Sequence, residues 1–170
     1  MNRPETHEFD PYYSNYISLN EGDNVLPVLD AQPAALRAVF HHVPEEKGTF
    51  AYADGKWTIK EVLSHLIDGE RIFAYRTLRI SRGDATPIEG FEQDGYIENS
   101  NANNRTFADL IEEFDLQRRS NMILLNNISD EGSRRIGTAS GRPVSVRALA
   151  YIMAGHVTHH LNILNERYLV

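Results

Sequence analysis

Four stretches of this chain repeat their apolar residues at the spacing of one helix face, and no stretch of comparable length alternates apolar and polar residues with period two. That pattern predicts an all-α protein, a four-helix bundle with long crossover loops. The first helix is expected from about Asn24 to His42, with Pro33 inside it as a kink or a break. The second opens at Thr58, where Thr58-x-x-Glu61 forms a capping box and Trp57 can staple the entry, and runs to about Ser81. The third opens at Thr106, with Asp109 three residues on, and ends near Ile128. The fourth opens near Ser145 and ends near Tyr168. Between the second and third lies a long polar loop, residues 85–105, of the kind that often covers a site. The segment GTASGRP reads as a turn or short hairpin. A length of 170 residues fits one domain, 1–170, with residues 1–23 as a lead-in that packs on the bundle through Tyr12, Tyr13, Tyr16, Ile17 and Leu19.

Composition removes several function classes. There is no cysteine, which excludes a disulfide framework, a thiolate metal site and a cysteine nucleophile. The net charge of −7 argues against nucleic acid as a partner, because phosphate neutralisation calls for a basic face. The basic clusters, Arg71, Arg76, Arg79 and Arg82, then Arg118 and Arg119, are interleaved with acids or spread along helices. The first residues carry no basic start followed by an apolar run, and no stretch is apolar enough to span a membrane, so a cytoplasmic location is expected.

The chemistry concentrates in the fourth helix, at HVTHH. With about 100° per residue, His160 falls about 40° from His156, and Leu149, Ile152, Met153, Ile163 and Leu164 lie within about 80° of it. His156 and His160 therefore sit in the middle of the apolar stripe. His159 lies about 60° to the other side, at the flank, and is at most an auxiliary substrate-binding residue. Two imidazoles at i and i+4 on a buried stripe can share one ion, and neutral imidazole suits zinc, nickel, copper and iron. The plainer alternative is two core histidines, each hydrogen-bonded to a carbonyl or carboxylate. The motif is not HExxH, because Val157 and Thr158 supply no general base.

The second helix offers His65, about 100° from Leu66 on the stripe's flank; it either faces inward from a corner of the bundle or lies on the surface. Glu70 falls inside that apolar stripe, where a carboxylate must be paired, bound to a metal or kept protonated. It is either a structural partner for a Tyr or Arg of a neighbouring helix or a catalytic candidate. Asp68 points outward as a solvated acid. Arg76, three turns from His65 on the same side, either binds an anionic group of a substrate or pairs with an acid. His7, His41 and His42 show no partnered spacing.

The run KWTIKEVLSHLIDGERIFAYRTLRISRGD, the glycine-containing loop with GFEQDGY, and RRIGTASGRPVSVRALAYIMAGHVTHHLNILNERY together resemble the DinB-like superfamily, in its YfiT-like branch. The resemblance spans about Tyr12 to Tyr168. It implies a four-helix bundle, usually homodimeric, and a metal triad of one histidine on the second helix and two on the last. Those positions match His65, His156 and His160. It also implies an enzyme, either a transferase using a low-molecular-weight thiol such as bacillithiol or mycothiol, or a metal-dependent hydrolase.

Three neutral histidines leave a divalent ion with uncompensated charge and an open position, the pattern of catalytic rather than closed structural sites. The ion expected is zinc or nickel, with iron or manganese behind them. The nucleophile would be a water or thiolate held on the ion, attacking an electrophilic small molecule. The competing expectation is a non-catalytic, metal-stabilised dimeric binding or stress protein.

Overall fold

A computed structural model describes residues 1–169. The lead-in makes two 3₁₀ turns, Thr6–Glu8 and Pro11–Tyr13, and then the short helix α1, Ser14–Ser18. Four long helices follow: α2, Leu26–Phe40; α3, Ile59–Ser81; α5, Phe107–Asn126; and α7, Val146–Ile163. The short α4, Gln93–Glu98, lies within the long loop, and α6, Asp130–Ser133, precedes α7. The last turn, Leu164–Tyr168, is π-helical, so the fourth periodic stretch changes its winding before it ends.

Local chemistry sets the helix starts. At α3, Thr58 accepts from the Glu61 amide at 3.2 Å and Glu61 accepts from the Thr58 amide at 2.8 Å, completing the capping box. Thr106 and Ser145 cap α5 and α7 through the amides of Asp109 and Ala148. GTASGRP folds as an antiparallel hairpin, β1 (Ile136–Ala139) with β2 (Arg142–Ser145), in which Ala139 pairs with Arg142. Its two turn residues, Ser140 and Gly141, both have positive φ, 53° and 73°, which matches the right-handed twist of the strands. Isolated bridges attach Phe9 of the lead-in to Val144 and Ile88 of the long loop to Ala139.

The principal helix contacts are α2 with α5 and α7, and α3 with α5 and α7. Consecutive helices α2 and α3 thus stand across the diagonal, as do α5 and α7, and the long loops make these crossings. The lead-in lies on α7, where Gly155 allows the chains to meet: a Cβ there would stand 1.9 Å from the Tyr16 carbonyl oxygen. Glu8 anchors the arm, accepting from Ser145 at 2.7 Å and from Arg147.

The core divides into two apolar clusters with a polar layer between them. One holds Leu29, Phe73, Ile80, Leu125 and Leu149; the other holds Leu36, Ile59, Leu66, Phe114 and Leu161. Between them Arg118, 1 % exposed, grips Glu70, also 1 % exposed, through two parallel hydrogen bonds of 3.0 and 2.6 Å. Asn121 donates to the same carboxylate at 2.9 Å. Arg118 also donates to Gln32 at 2.8 Å, and Gln32 donates to the Ala154 carbonyl at 2.6 Å and to Thr158 at 3.0 Å. The layer therefore joins α2, α3, α5 and α7.

Pro33 does not break α2. A proline at this position cannot donate to the carbonyl four residues back, which is Leu29. Arg118 donates to that carbonyl instead, at 2.6 Å, so the lost helix bond is replaced by one from α5. Removing one member of a buried, bidentate pair leaves the other charge stranded, at a cost of about 3–5 kcal/mol. Arg118→Met should therefore lower unfolding free energy by about that amount in denaturant titrations. The double variant Arg118→Met/Glu70→Leu should recover much of the loss; a single-variant cost below about 1 kcal/mol would contradict this role for the pair.

Candidate metal centre

The side chains of His65 on α3 and of His156 and His160 on α7 converge, each offering a ligand nitrogen within 4.8 Å of the others. His65 and His156 are buried, 5 % and 6 % exposed, and His160 is half-buried. The Nε2 atoms of His65 and His156 are 2.8 Å apart. Ring centroids within the triad are separated by 4.7–4.9 Å. His65 is thus an inward-facing residue. Its burial reflects how far α3 is enclosed, since α4 and the 3₁₀ turns at Glu45–Thr49 and Ala102–Asn104 also pack on this helix.

Neighbouring residues set the rings. Trp57 lies 4.7 Å from His65, centroid to centroid, and its carbonyl accepts from the Tyr168 hydroxyl at 2.7 Å. Tyr16 and Phe73 meet His156 edge-on at 5.7 and 5.6 Å. Gly69 gives His156 its place: a Cβ on residue 69 would lie 3.0 Å from Cε1 and 3.1 Å from Nδ1 of that ring. A glycine inside a strongly helical run, which costs about 1 kcal/mol relative to alanine, was the available signal for this close approach. Tyr16 was expected to pack on the bundle with the rest of the lead-in, but nothing in the sequence tied it to the histidines.

Glu70, inside the stripe as the helical wheel places it, has both oxygens engaged by Arg118 and Asn121. Arg76 is 3 % exposed and lines the same cavity as His65 and His156, with no acidic partner among the described residues. His159 stands at the flank, with its ring 5.5 Å from Tyr16 and 5.1 Å from His160, and lines a separate cavity of about 460 Å³. Asp68 is half-buried beside Arg71 rather than fully solvated, and burial raises its carboxyl above the usual range. His41 and His42 meet edge-on, 4.6 Å between centroids, and are not part of the triad.

The triad lies between two cavities. The larger, about 400 Å³, is bounded by the lead-in, α3, the 91–93 segment and the hairpin, and has His65 and His156 in its wall. The other, about 300 Å³, has Trp57, Asp94, His160 and Tyr168 in its wall.

Burial holds all three imidazoles in the neutral form. It pushes the pKa of His65 down to about 4, with Asp94 partly opposing. It takes His160 to about 3, with the fields of His65 and His159 adding to it. His156 lies well below the ordinary histidine value through burial, the other histidines and Arg118. Neutral imidazole is the form that binds metal ions. An unfolded chain takes up protons at these histidines below about pH 6.5, whereas the native chain does so only near pH 4 and below. The metal-free protein should therefore keep this part of its stability above pH 6.5 and lose it as pH falls. The urea midpoint, followed from pH 7.5 to 5, above the carboxylate range, should drop over the lower part of that window. A flat profile would contradict the neutral, buried triad.

The donor set fits a divalent ion. A hydrogen bond between His65 and His156 satisfies one nitrogen of each and leaves His160 aside, while an ion at the convergence point has use for all three. Among the described residues, the rings of His65 and His156 make no other hydrogen bond, as the plainer reading of core histidines would require.

A comparison with curated proteins gives no match. Among solved structures the chain is similar to YfiT from Bacillus subtilis, described as a probable metal-dependent hydrolase with an unusual four-helix bundle topology, with a TM-score of 0.77 at 17% identity over 84% of this chain and 82% of that one. The likeness shows a shared four-helix-bundle fold. No helix among the described residues is long and apolar enough to cross a membrane. The family model of the DinB superfamily matches residues 29–164, most of the chain and all three clustered histidines, and the chain belongs to that superfamily.

Proposed function

We propose that the chain is a metal-dependent enzyme in which His65, His156 and His160 hold one divalent ion at the wall of the 400 Å³ cavity. The observation that carries this reading is the convergence of three neutral imidazoles, two of them buried, with no acid hydrogen-bonded to them among the described residues and open space beside them. An all-nitrogen donor set favours zinc or nickel, with iron and manganese next. When bound, such an ion supplies Lewis acidity, which brings the pKa of a water or a low-molecular-weight thiol toward neutrality and polarises an electrophilic substrate. The likeness to YfiT, described as a probable metal-dependent hydrolase, supports hydrolysis; transfer of a thiol to a small electrophilic molecule would use the same ion chemistry.

The chain's own residues hold the site for that chemistry. Trp57, Tyr16 and Phe73 fix the imidazole planes and keep bulk water from their faces. Gly69 lets His156 approach α3. Glu70 acts by positioning α3 against α5 through Arg118, since its oxygens are already occupied.

Purified protein should carry about one divalent ion per chain by elemental analysis. His65→Ala, His156→Ala and His160→Ala should each weaken zinc or nickel binding by about a hundredfold or more, since loss of an outer-shell partner alone costs about 10–100-fold. His159→Ala should leave it unchanged. Chelation should abolish hydrolytic or thiol-transfer turnover while shifting the melting temperature little. Unaltered metal binding in all three alanine variants would overturn the reading. A large loss of melting temperature on chelation, with no turnover over a broad electrophile panel, would make the ion a staple between α3 and α7 instead.

A further inference from the structure

The cavity that reaches His65 and His156 has a second chemical end. Arg76 lies on α3 seven residues past Gly69, about 10 Å further along the axis. Its side chain is 3 % exposed, and no Asp or Glu pairs with it among the described residues. Its Nε is sealed from solvent without an acceptor. Its Nη2 donates to the Ser140 hydroxyl at 2.8 Å and more weakly to the Glu89 carbonyl at 3.5 Å. Other arginines carry an acidic partner: Arg71 pairs with Glu113, Arg79 with Asp84, Arg142 with Asp10 and Arg118 with Glu70. A buried guanidinium without a counter-charge is costly, and burial does disfavour its charged form, so an anion that enters the cavity gains a ready partner.

Two further features narrow the anion. The walls around Arg76 are aromatic, with Tyr12, Tyr13, Tyr16, Phe73 and Phe91 facing the same space, which suits a flat apolar body. Glu92 also lines the cavity and Asp10 stands beside Arg142, so a doubly charged group meets repulsion that a single charge meets less. A planar carboxylate matches the fork of a guanidinium. Ser140, at φ 53° in the hairpin turn, holds that fork in place by accepting from its Nη2.

We infer that Arg76 is the anchor of a carboxylate-binding subsite, and that the substrate is a small, flat monocarboxylate whose far end reaches the histidine triad. This rests on the metal-enzyme reading for the role of the far end, whereas the subsite itself rests on Arg76 alone. Ser140 is a positioning residue.

The test is calorimetric titration of the full-length, zinc-loaded protein with benzoate, with benzamide as its neutral counterpart and with inorganic phosphate. Benzoate should bind at least about tenfold more tightly than benzamide or phosphate. Arg76→Gln should lower benzoate affinity about 10- to 100-fold and leave benzamide unchanged, while Arg76→Lys should lie between. Ser140→Gly, which suits the positive φ, should weaken benzoate several-fold. If Arg76→Gln fails to fold, ¹⁵N spectroscopy of the wild-type guanidinium replaces it, and the Arg76 Nε resonance should shift on adding benzoate but not benzamide. The same titration on metal-free protein separates the two readings. Arg76-dependent benzoate binding that survives chelation supports the subsite even if the metal-enzyme reading fails. Benzoate binding lost on chelation and indifferent to Arg76→Gln would overturn the subsite, because the carboxylate would then be a ligand of the ion. Equal affinity for benzoate and benzamide, tighter phosphate binding, or no benzoate binding would overturn it as well.

Discussion

The bidentate grip of Arg118 on Glu70 is the interaction on which the rest of this structure depends. Both groups are sealed in the bundle, where neither charge is tolerable alone. The hydrogen bonds that make them tolerable draw in the other helices: Leu29 and Gln32 on α2 accept from Arg118, Asn121 on α5 donates to Glu70 on α3, and Gln32 carries the layer on to the Ala154 carbonyl on α7. The pair therefore fixes which helix faces which. It also accounts for Pro33, since the carbonyl that proline leaves without a helical donor is the one Arg118 takes. A helix breaker and a buried arginine, each unfavourable alone, are jointly satisfied.

The same layer prepares the histidine cluster. Glu70 follows Gly69, the residue against which His156 packs, so anchoring Glu70 to α5 also sets the α3 backbone beside that ring. The positive charge of Arg118 adds to burial in keeping His156 neutral, and the closest carboxylate in the layer is spent on Arg118. The outcome is three uncharged nitrogen donors, with no carboxylate in the cluster among the described residues, facing cavities on both sides. The lead-in completes the wall by bringing Tyr16 over His156 and His159, which the missing side chain of Gly155 permits.

Much of this was legible in the chain because helix faces are written with a fixed period. The four long helices, the caps at Thr58, Thr106 and Ser145, and the inward placement of His156 and His160 follow from spacing and capping chemistry alone. Two features did not follow. The diagonal order of the helices depends on which faces meet, and residues far apart in sequence, such as Glu70 and Arg118, decide that; Arg118 read merely as part of a basic cluster. The inward position of His65 was open for a related reason: a wheel assumes one buried stripe, whereas short elements from distant loops cover a second face of α3. The resemblance to DinB-like proteins supplied that residue, and the family match and the bundle likeness to YfiT agree with the fold it implied.

The central claim is that these three histidines share one ion with open space beside it. The most direct measurement is a crystal structure of metal-reconstituted protein with anomalous data collected at the zinc and nickel edges. One strong peak is expected, bonded to a nitrogen of each of His65, His156 and His160 at about 2.0–2.1 Å, with its remaining coordination turned toward the cavity. A peak held by other residues, or none in reconstituted protein whose histidines instead hydrogen-bond one another, would contradict it.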